Sequence, residues 1–111
     1  MRRLTLLIAP ALLGGCLSHP PPPPAPYHAV GPDSQWDLII DDKNVTFIPA
    51  GQQPIVEPKP AAIIGVAGDI YQTKRINVNI VHAQCALNGR DFPDKVQVYV
   101  DGAQHDGCGG L

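Results

Sequence analysis

Aromatic and basic side chains are both scarce in this sequence. Aromatic residues make up 5% of its 111 positions, and lysine plus arginine total 8 against 10 aspartates and glutamates. The basic residues, such as Lys59, Lys74 and Arg90, are scattered and form no stripe. Proteins that bind nucleic acid need clustered positive charge to meet the phosphates, so we expect no nucleic-acid partner.

Long apolar runs are missing as well. The longest, residues 4–13, is interrupted by Thr5 and Pro10. It is far shorter than the ~20 residues that a membrane-spanning helix needs, so a transmembrane anchor is not expected.

The short motifs that mark common enzymes and metal sites are also absent. The sequence has no Gly-x-Ser-x-Gly, no phosphate-binding glycine loop, no His-Glu-x-x-His and no Cys-x-x-Cys. Each of these places a nucleophile, a phosphate cradle or metal ligands at a fixed spacing. We therefore predict a protein that is not an enzyme, with no catalytic residue, no cofactor and no metal site.

The N-terminus carries the most specific signal. Two arginines precede the apolar residues 4–13, and Leu13-Gly14-Gly15 leads directly to Cys16. A positive start, a short apolar region and small residues before a cleavage point are typical of a secretory signal. The ending resembles the lipobox of bacterial lipoproteins, in which the cysteine is acylated and becomes the first mature residue. The resemblance implies a signal peptide over residues 1–15, lipid attachment (palmitate) at Cys16 and membrane lipid as a partner.

The expected location follows from the same segment. Leu17 stands after Cys16, where lipoproteins retained at the inner membrane of enteric bacteria have an aspartate. We therefore expect a lipid-anchored protein of the cell envelope, at the outer membrane and facing the periplasm. Cleavage would remove 15 of the 111 residues and leave 96, which is enough for one small domain.

A proline-rich stretch separates Cys16 from the rest of the chain. Residues 20–24 are consecutive prolines, followed by Ala25 and Pro26. Such runs favour extended polyproline II and act as semi-rigid spacers. Residues 16–32 are therefore predicted to be the lipidated N-terminus and linker, and residues 33–111 the folded domain.

Within that domain, apolar residues recur at every second position. The clearest sets are Trp36, Leu38 and Ile40; Ile76, Val78 and Ile80; and Val96, Val98 and Val100. This period predicts half-buried strands, with Trp36 in the core, and Asp101-Gly102 is a strong two-residue hairpin signal. No helical period follows the signal peptide. We predict an all-β domain, a small antiparallel β-barrel or sandwich of about six to eight short strands.

Three polar or glycine- and proline-rich segments are predicted to be loops. They are residues 51–60, with at most a short edge strand, residues 68–74, which contain Tyr71, and residues 88–94. Asp94, like Asp91 and the pair Asp41-Asp42, is expected to accept backbone hydrogen bonds in a turn.

The cysteine count fits an exported protein. With Cys16 assigned to lipid, Cys85 and Cys108 remain as a pair, and in a small exported domain such a pair indicates a disulfide. Two alternatives stay open: a thiolate metal site, and a nucleophilic Cys108 activated by His105-Asp106.

The C-terminal half resembles a family of small proteobacterial envelope lipoproteins of unknown function. The matching features are the Trp36-containing opening segment, Cys85 followed by a loop and Phe92-Pro93, the valine strand and the closing Gly107-Cys108-Gly109-Gly110. The resemblance covers roughly residues 27–110. It implies a β fold, an envelope location and a paired Cys85 and Cys108, and it carries over no catalytic residue.

These features favour a non-enzymatic binding module whose partner is an envelope protein or a cell-wall component. Tyr71 is the candidate partner contact. One alternative is an inhibitor of a lysozyme-like cell-wall hydrolase, because Ala67-Gly68-Asp69-Ile70-Tyr71 is similar to the Ser-Gly-x-x-Tyr loop of such inhibitors. A second is a metal-binding or enzymatic protein of the periplasm using His82, His105 and Asp106.

Overall fold

The computed structural model describes residues 20–22 and 24–111 and is all-β over these ranges, which confirms the predicted fold class. The strands are β1 (Tyr27–Val30), β2 (Trp36–Ile40), β3 (Asn44–Pro49), β4 (Ile55–Pro58), β5 (Ile63–Ile64), β6 (Gly68–Gln72), β7 (Ile76–Val81), β8 (Cys85–Leu87), β9 (Arg90–Phe92), β10 (Asp94–Val100) and β11 (Ala103–Gly109). A 3₁₀ turn, Pro32–Ser34, separates β1 from β2. In this part of the chain, no helix is long and apolar enough to cross a membrane.

Nine strands form one antiparallel sheet in the order β4-β3-β2-β1-β11-β10-β7-β6-β5, and β8 pairs with β9 separately. The large sheet curls into a half-barrel. Eleven strands across the described residues exceed the predicted six to eight. The additional strands lie in segments predicted to be linker or loop: β1 in the linker, β6 in residues 68–74, and the short β8 and β9 around residues 88–94.

The concave face of the curled sheet holds the core. Its buried residues are Ala29, Trp36, Leu38, Ile40, Val45, Phe47, Ile76, Val78, Ile80, Val96, Val98 and Val100. Trp36 is 3% exposed and its ring centroid lies 5.5 Å from that of Phe47, so its predicted core position is confirmed. The three alternating segments therefore supply most of the core, as period-2 burial requires.

The sheet begins earlier than the composition predicts. Strand β1 lies inside residues 16–32, the predicted linker, yet it pairs with β2 on one side and β11 on the other. Only Ala29 of this strand is fully buried. The four-residue sequence Tyr27–Val30 therefore lacks the alternating apolar pattern by which the other strands were predicted. The pairing that holds β1 in place comes from residues distant in the sequence.

Two hairpin turns use backbone conformations that favour asparagine, aspartate and glycine. Asp101 and Gly102 both have positive φ, 49° and 86°, at the predicted turn between β10 and β11. Asn88 and Gly89 do the same, 52° and 77°, between β8 and β9. The prediction of a plain loop over residues 88–94 was therefore wrong. Asn-Gly is itself a strong hairpin signal because both positions tolerate left-handed backbone.

Candidate functional site

The antiparallel register brings several strand ends together at one end of the half-barrel, which we call the Tyr27 end. Strands β1, β6 and β10 begin there, at Tyr27, Gly68 and Asp94, and β2 and β7 end there, at Ile40 and Val81. The opposite end, the Trp36 end, holds the turns after β3, β6 and β10. The proline-rich linker reaches the sheet at the Tyr27 end.

A buried carboxylate organises this end. Asp94 is 6% exposed, because it occupies the core-facing register of Val96 and Val98 at the start of β10. Its Oδ2 accepts a hydrogen bond from the Tyr27 hydroxyl at 2.8 Å, and its Oδ1 lies 2.8 Å from His82 Nδ1. Nε2 of the same imidazole lies 3.8 Å from Asp69 Oδ2. Three strands, β1, β6 and β10, and the residue after β7 therefore contribute to one polar cluster, which we call the Asp94 cluster.

The cluster shifts the titration of its members. Burial, and then the hydrogen bond to Asp94, raise the pKa of Tyr27 far above its ordinary value, so its hydroxyl stays protonated and donates. The hydrogen bond to Asp94 raises the pKa of His82 against a smaller opposing effect of desolvation, and the charges of Asp94 and Asp69 act in the same direction. The imidazolium form of His82 is therefore favoured beside two carboxylates.

Next to the Asp94 cluster, a groove of about 170 Å³ opens at the Tyr27 end. We call it the Tyr71 groove. Its lining residues are Pro24, Ala25, Tyr27, Ile40, Asp41, Asp42, Lys59 and Tyr71. Apolar ring surfaces and charged groups of both signs meet here, so the groove can stack on a ligand and hydrogen-bond to it.

Tyr71 is placed differently from the prediction. It lies in strand β6, not in a polar loop, and its half-buried ring packs against the core. Asp69 and Tyr71 share the concave face because they are two positions apart. Lys59 Nζ lies 6.0 Å from the Tyr71 ring centroid, and burial together with Asp69 raises the pKa of Tyr71. The prediction of a loop over residues 68–74 was therefore wrong for Gly68–Gln72, which form a strand.

Asp41 behaves as a turn aspartate. Its Oδ1 accepts backbone hydrogen bonds from Lys43 at 2.9 Å and Asn44 at 2.6 Å, as predicted. These bonds lower the pKa of the Asp41 carboxyl. The prediction of the same role for Asp94 was wrong, because Asp94 accepts from a side chain 67 positions away.

Cys85 and Cys108 are bonded in a disulfide, with Cα atoms 5.7 Å apart and a sequence separation of 23. Cys108 is 1% exposed. The thiolate alternatives require a free sulfur, which this bond removes. The proposed lipid-attachment residue Cys16 lies outside the described residues.

His82, His105 and Asp106 do not come together. His105 pairs with Val98 in the middle of β11, and its ring centroid lies 5.0 Å from that of Phe47. His82 lies beyond the end of β7, at the Tyr27 end. Asp106 is exposed and accepts a hydrogen bond from the Gln104 side chain. Among residues 20–22 and 24–111, no group of three or more His, Cys, Asp or Glu side chains is placed to hold a metal ion.

Asp94 and Tyr27 are the residues that sequence reasoning missed. For Asp94 a signal exists, because it continues the register of Val96, Val98 and Val100 and so falls on the buried face. A carboxylate in that register must have partners. No local pattern identifies Tyr27, whose role depends on β1 lying within the sheet.

Comparisons with known proteins add little. No family model matches this chain, and no solved structure matches it. A similar curated protein is an RNA-binding NOB1-like protein of Arabidopsis thaliana, 32% identical over 68 residues, or 58% of this chain. The matched region is 10% of that protein's length, so the chain spans only a small part of the relative it matches.

Proposed function

We propose that this protein is a lipid-anchored, non-enzymatic binding module of the bacterial cell envelope. The anchor would be Cys16, in the lipobox-like sequence Leu13-Gly14-Gly15-Cys16. The binding surface would be the Tyr27 end, with Tyr71 as its contact residue. The observation that carries the proposal is the Tyr71 groove, which opens where the linker from Cys16 enters the domain.

The chemistry of the Tyr27 end supports binding over catalysis. Asp94 is enclosed, with one oxygen bonded to Tyr27 and the other to His82. A general base needs reach to a substrate proton, and Asp94 is 6% exposed. His82 is exposed, and among the residues that the structure describes its side chain contacts two carboxylates and no nucleophile, which favours a supporting role for the cluster beside the groove.

The partner class we favour is an envelope protein or a cell-wall component. A tyrosine ring beside Lys59, Asp41 and Asp42 suits a ligand that has both a flat apolar face and hydrogen-bonding groups. RNA binding, named for the Arabidopsis protein, suits this chain poorly. With 8 basic and 10 acidic residues, it has little positive charge to meet phosphates.

Two measurements test the proposal on the full-length protein produced in an exporting bacterial host. Labelled palmitate should be incorporated, and Cys16→Ser should abolish incorporation. Absence of label from the wild-type protein would refute the anchor.

The binding part is tested by capture from detergent-solubilised envelopes with the acylated protein and its Tyr71→Ala variant. We expect a specific protein or glycan to be retained by the wild type and lost with Tyr71→Ala. Tyr99→Ala is the matched control, because Tyr99 lies on β10 near the Trp36 end and is 36% exposed. Equal capture by all three proteins would refute Tyr71 as the contact.

A further inference from the structure

We propose that the Tyr27 end rests on the bilayer that holds Cys16, with the turn between β5 and β6 inserted in the lipid interface. This inference rests on the proposed lipid anchor. It specifies which end of the anchored domain contacts the bilayer. The carrying observation is a group of exposed aliphatic side chains, Ile63, Ile64 and Val66, which we call the aliphatic tip.

The exposure of the aliphatic tip is unusual for so short a segment. Ile63 is 51% exposed, Ile64 78% and Val66 fully so, at 108%. Single exposed aliphatic residues are normal on protein surfaces, but here Ile63 and Ile64 on the two faces of β5 and Val66 in the turn make apolar patches on both faces of one hairpin. Patches of this kind mark surfaces that meet another apolar phase.

The aliphatic tip is held firmly by the sheet. Strand β5 pairs with β6, the Gly65 N–H donates to the Gly68 carbonyl at 2.8 Å, and the His82 N–H donates to the Ala67 carbonyl at 2.8 Å. An apolar groove of about 280 Å³ adjoins the turn, and Ile63 and Val66 of the aliphatic tip line it together with Ile70 among others. The exposed side chains are therefore presented on a fixed hairpin.

The register sets the direction in which the aliphatic tip points. Gly68 pairs with Val81, so the turn over residues 65–67 projects beyond the Tyr27 end. The linker enters the sheet at Tyr27, at this same end. Eleven residue steps separate Cys16 from Tyr27, and an extended chain spans at most ~3.6 Å per residue, or roughly 40 Å. With the proposed anchor, Tyr27 therefore stays within roughly 40 Å of the membrane surface, and the aliphatic tip at the same end can reach it.

Charge at this end is mixed and does not drive the contact. Asp42, Lys43 and Lys59 are exposed at the ends of β2 and β4, while Asp94 is buried against Tyr27 and His82. The aliphatic tip therefore supplies the attraction, and we expect contact with uncharged lipid that changes little with salt. Any ligand of the Tyr71 groove would then have to lie at the membrane surface.

We assign the aliphatic tip to the bilayer and not to a second copy of the chain. The proposed anchor keeps lipid near the tip at every protein concentration, whereas contact with a second copy depends on that concentration. Strand β5 is nevertheless an edge of the sheet, and edges with exposed aliphatic residues can pair with one another. Self-association is therefore an outcome that the experiment must distinguish.

The test uses the full, acylated protein in phosphatidylcholine vesicles with brominated acyl chains, which quench nearby tryptophan fluorescence. Val66→Trp adds a tryptophan at the aliphatic tip, and Gln52→Trp adds one at the Trp36 end, where residue 52 is also exposed. Buried Trp36 supplies the same background in both variants. We expect quenching of the added tryptophan to be at least about two-fold greater for Val66→Trp, because an interfacial apolar face lies ~5–10 Å deep.

The outcomes separate the inference from its premise. Mass spectrometry of the vesicle-bound protein shows whether Cys16 is acylated. Acylated protein with equal quenching at both positions overturns the membrane contact and leaves the anchor intact. Protein without acyl chains, found free of the vesicles, overturns both. Dimers in sedimentation, with Val66→Trp shielded from brominated lipid, overturn the bilayer as occupant and assign the aliphatic tip to a second copy.

Discussion

The Tyr27 hydroxyl donates a hydrogen bond to Asp94 Oδ2 across 2.8 Å, although 67 positions separate the two residues. The bond ties the start of β1 to the start of β10, two strands that are not neighbours in the sheet, since β11 lies between them. It also satisfies one oxygen of a buried carboxylate, which would otherwise be costly. Because the bond joins two strands that are not neighbours and satisfies a buried carboxylate, we infer that it stabilises the Tyr27 end; we call it a brace.

Removing the hydroxyl should therefore destabilise the domain. Tyr27→Phe keeps the ring but leaves Asp94 Oδ2 without this donor, and hydrogen bonds to charged groups contribute about 1.5–3 kcal/mol. We expect a loss of that size in the free energy of unfolding, measured by urea titration of the oxidised protein. Tyr99→Phe, at a more exposed position on β10, should change it by less than about 0.5 kcal/mol. Equal losses in the two variants would contradict the brace.

The His82 contact predicts a pH-dependent stability. Asp94 raises the pKa of His82 in the folded protein, so folding favours the protonated imidazole. The contribution is then fully present below the ordinary histidine pKa of ~6.5 and is lost as the pH rises through the raised, folded value. We expect wild type to exceed His82→Gln in urea midpoint at pH 5.5, with the difference shrinking towards pH 9. His28→Gln is the control, on the exposed side of β1. A constant difference across this range would rule out the linkage.

The disulfide should contribute substantially to stability. It closes a loop with a sequence separation of 23, for which the chain-entropy model gives about 3 kcal/mol. The double variant Cys85→Ala, Cys108→Ala should unfold at lower urea by a corresponding amount while keeping its β-sheet signal in circular dichroism. Wild type measured after reduction should match the double variant. A double variant as stable as the oxidised wild type would exclude this contribution.

The parts of the fold that were predictable are those with a local signal. Segments around Trp36, Val78 and Val98 have apolar residues at every second position, with Ile39 as a conflicting position in the first, and each is a strand with its apolar side in the core. Strand β1 was missed because a sheet can hold a weakly patterned segment by pairing on both sides. Tyr71 was assigned to a loop for a related reason. In the segment Gly68-Asp69-Ile70-Tyr71, the polar Asp69 occupies a position that would be apolar in a typical half-buried strand. The sheet accommodates Asp69 because it lies at the rim of the concave face.

The candidate site was less predictable than the fold. Tyr71 was singled out as a surface contact and does border the groove. The Asp94 cluster, in contrast, joins side chains from β1, β6, β10 and the residue after β7. Such a set is visible only once strand order is known. Asp94 was expected to accept backbone hydrogen bonds in a turn, whereas its register with Val96 places it on the buried face of β10.

Gly107 offers a test of the packing between β1, β11 and Trp36. A Cβ at this position would overlap the Val30 carbonyl oxygen and approach Trp36 Cζ2 to 2.7 Å. Backbone cannot move aside as a flexible side chain can, so Gly107→Ala should force the strands apart. Overpacking of this kind costs about 1–3 kcal/mol. The loss should appear in urea unfolding together with a changed emission of Trp36.

Gly65→Ala is the matched control for Gly107→Ala, because both variants replace one glycine by alanine. Gly65 lies in the turn between β5 and β6. At Gly65 the nearest atom to an added Cβ is the Gly68 carbonyl oxygen at 3.5 Å, an ordinary contact. The new methyl group there should leave stability unchanged or raise it by up to about 1 kcal/mol, since alanine restricts the unfolded chain. Equal losses of stability in the two variants would contradict this explanation. The loss at position 107 would then come from the restricted backbone and not from contact with β1 and Trp36.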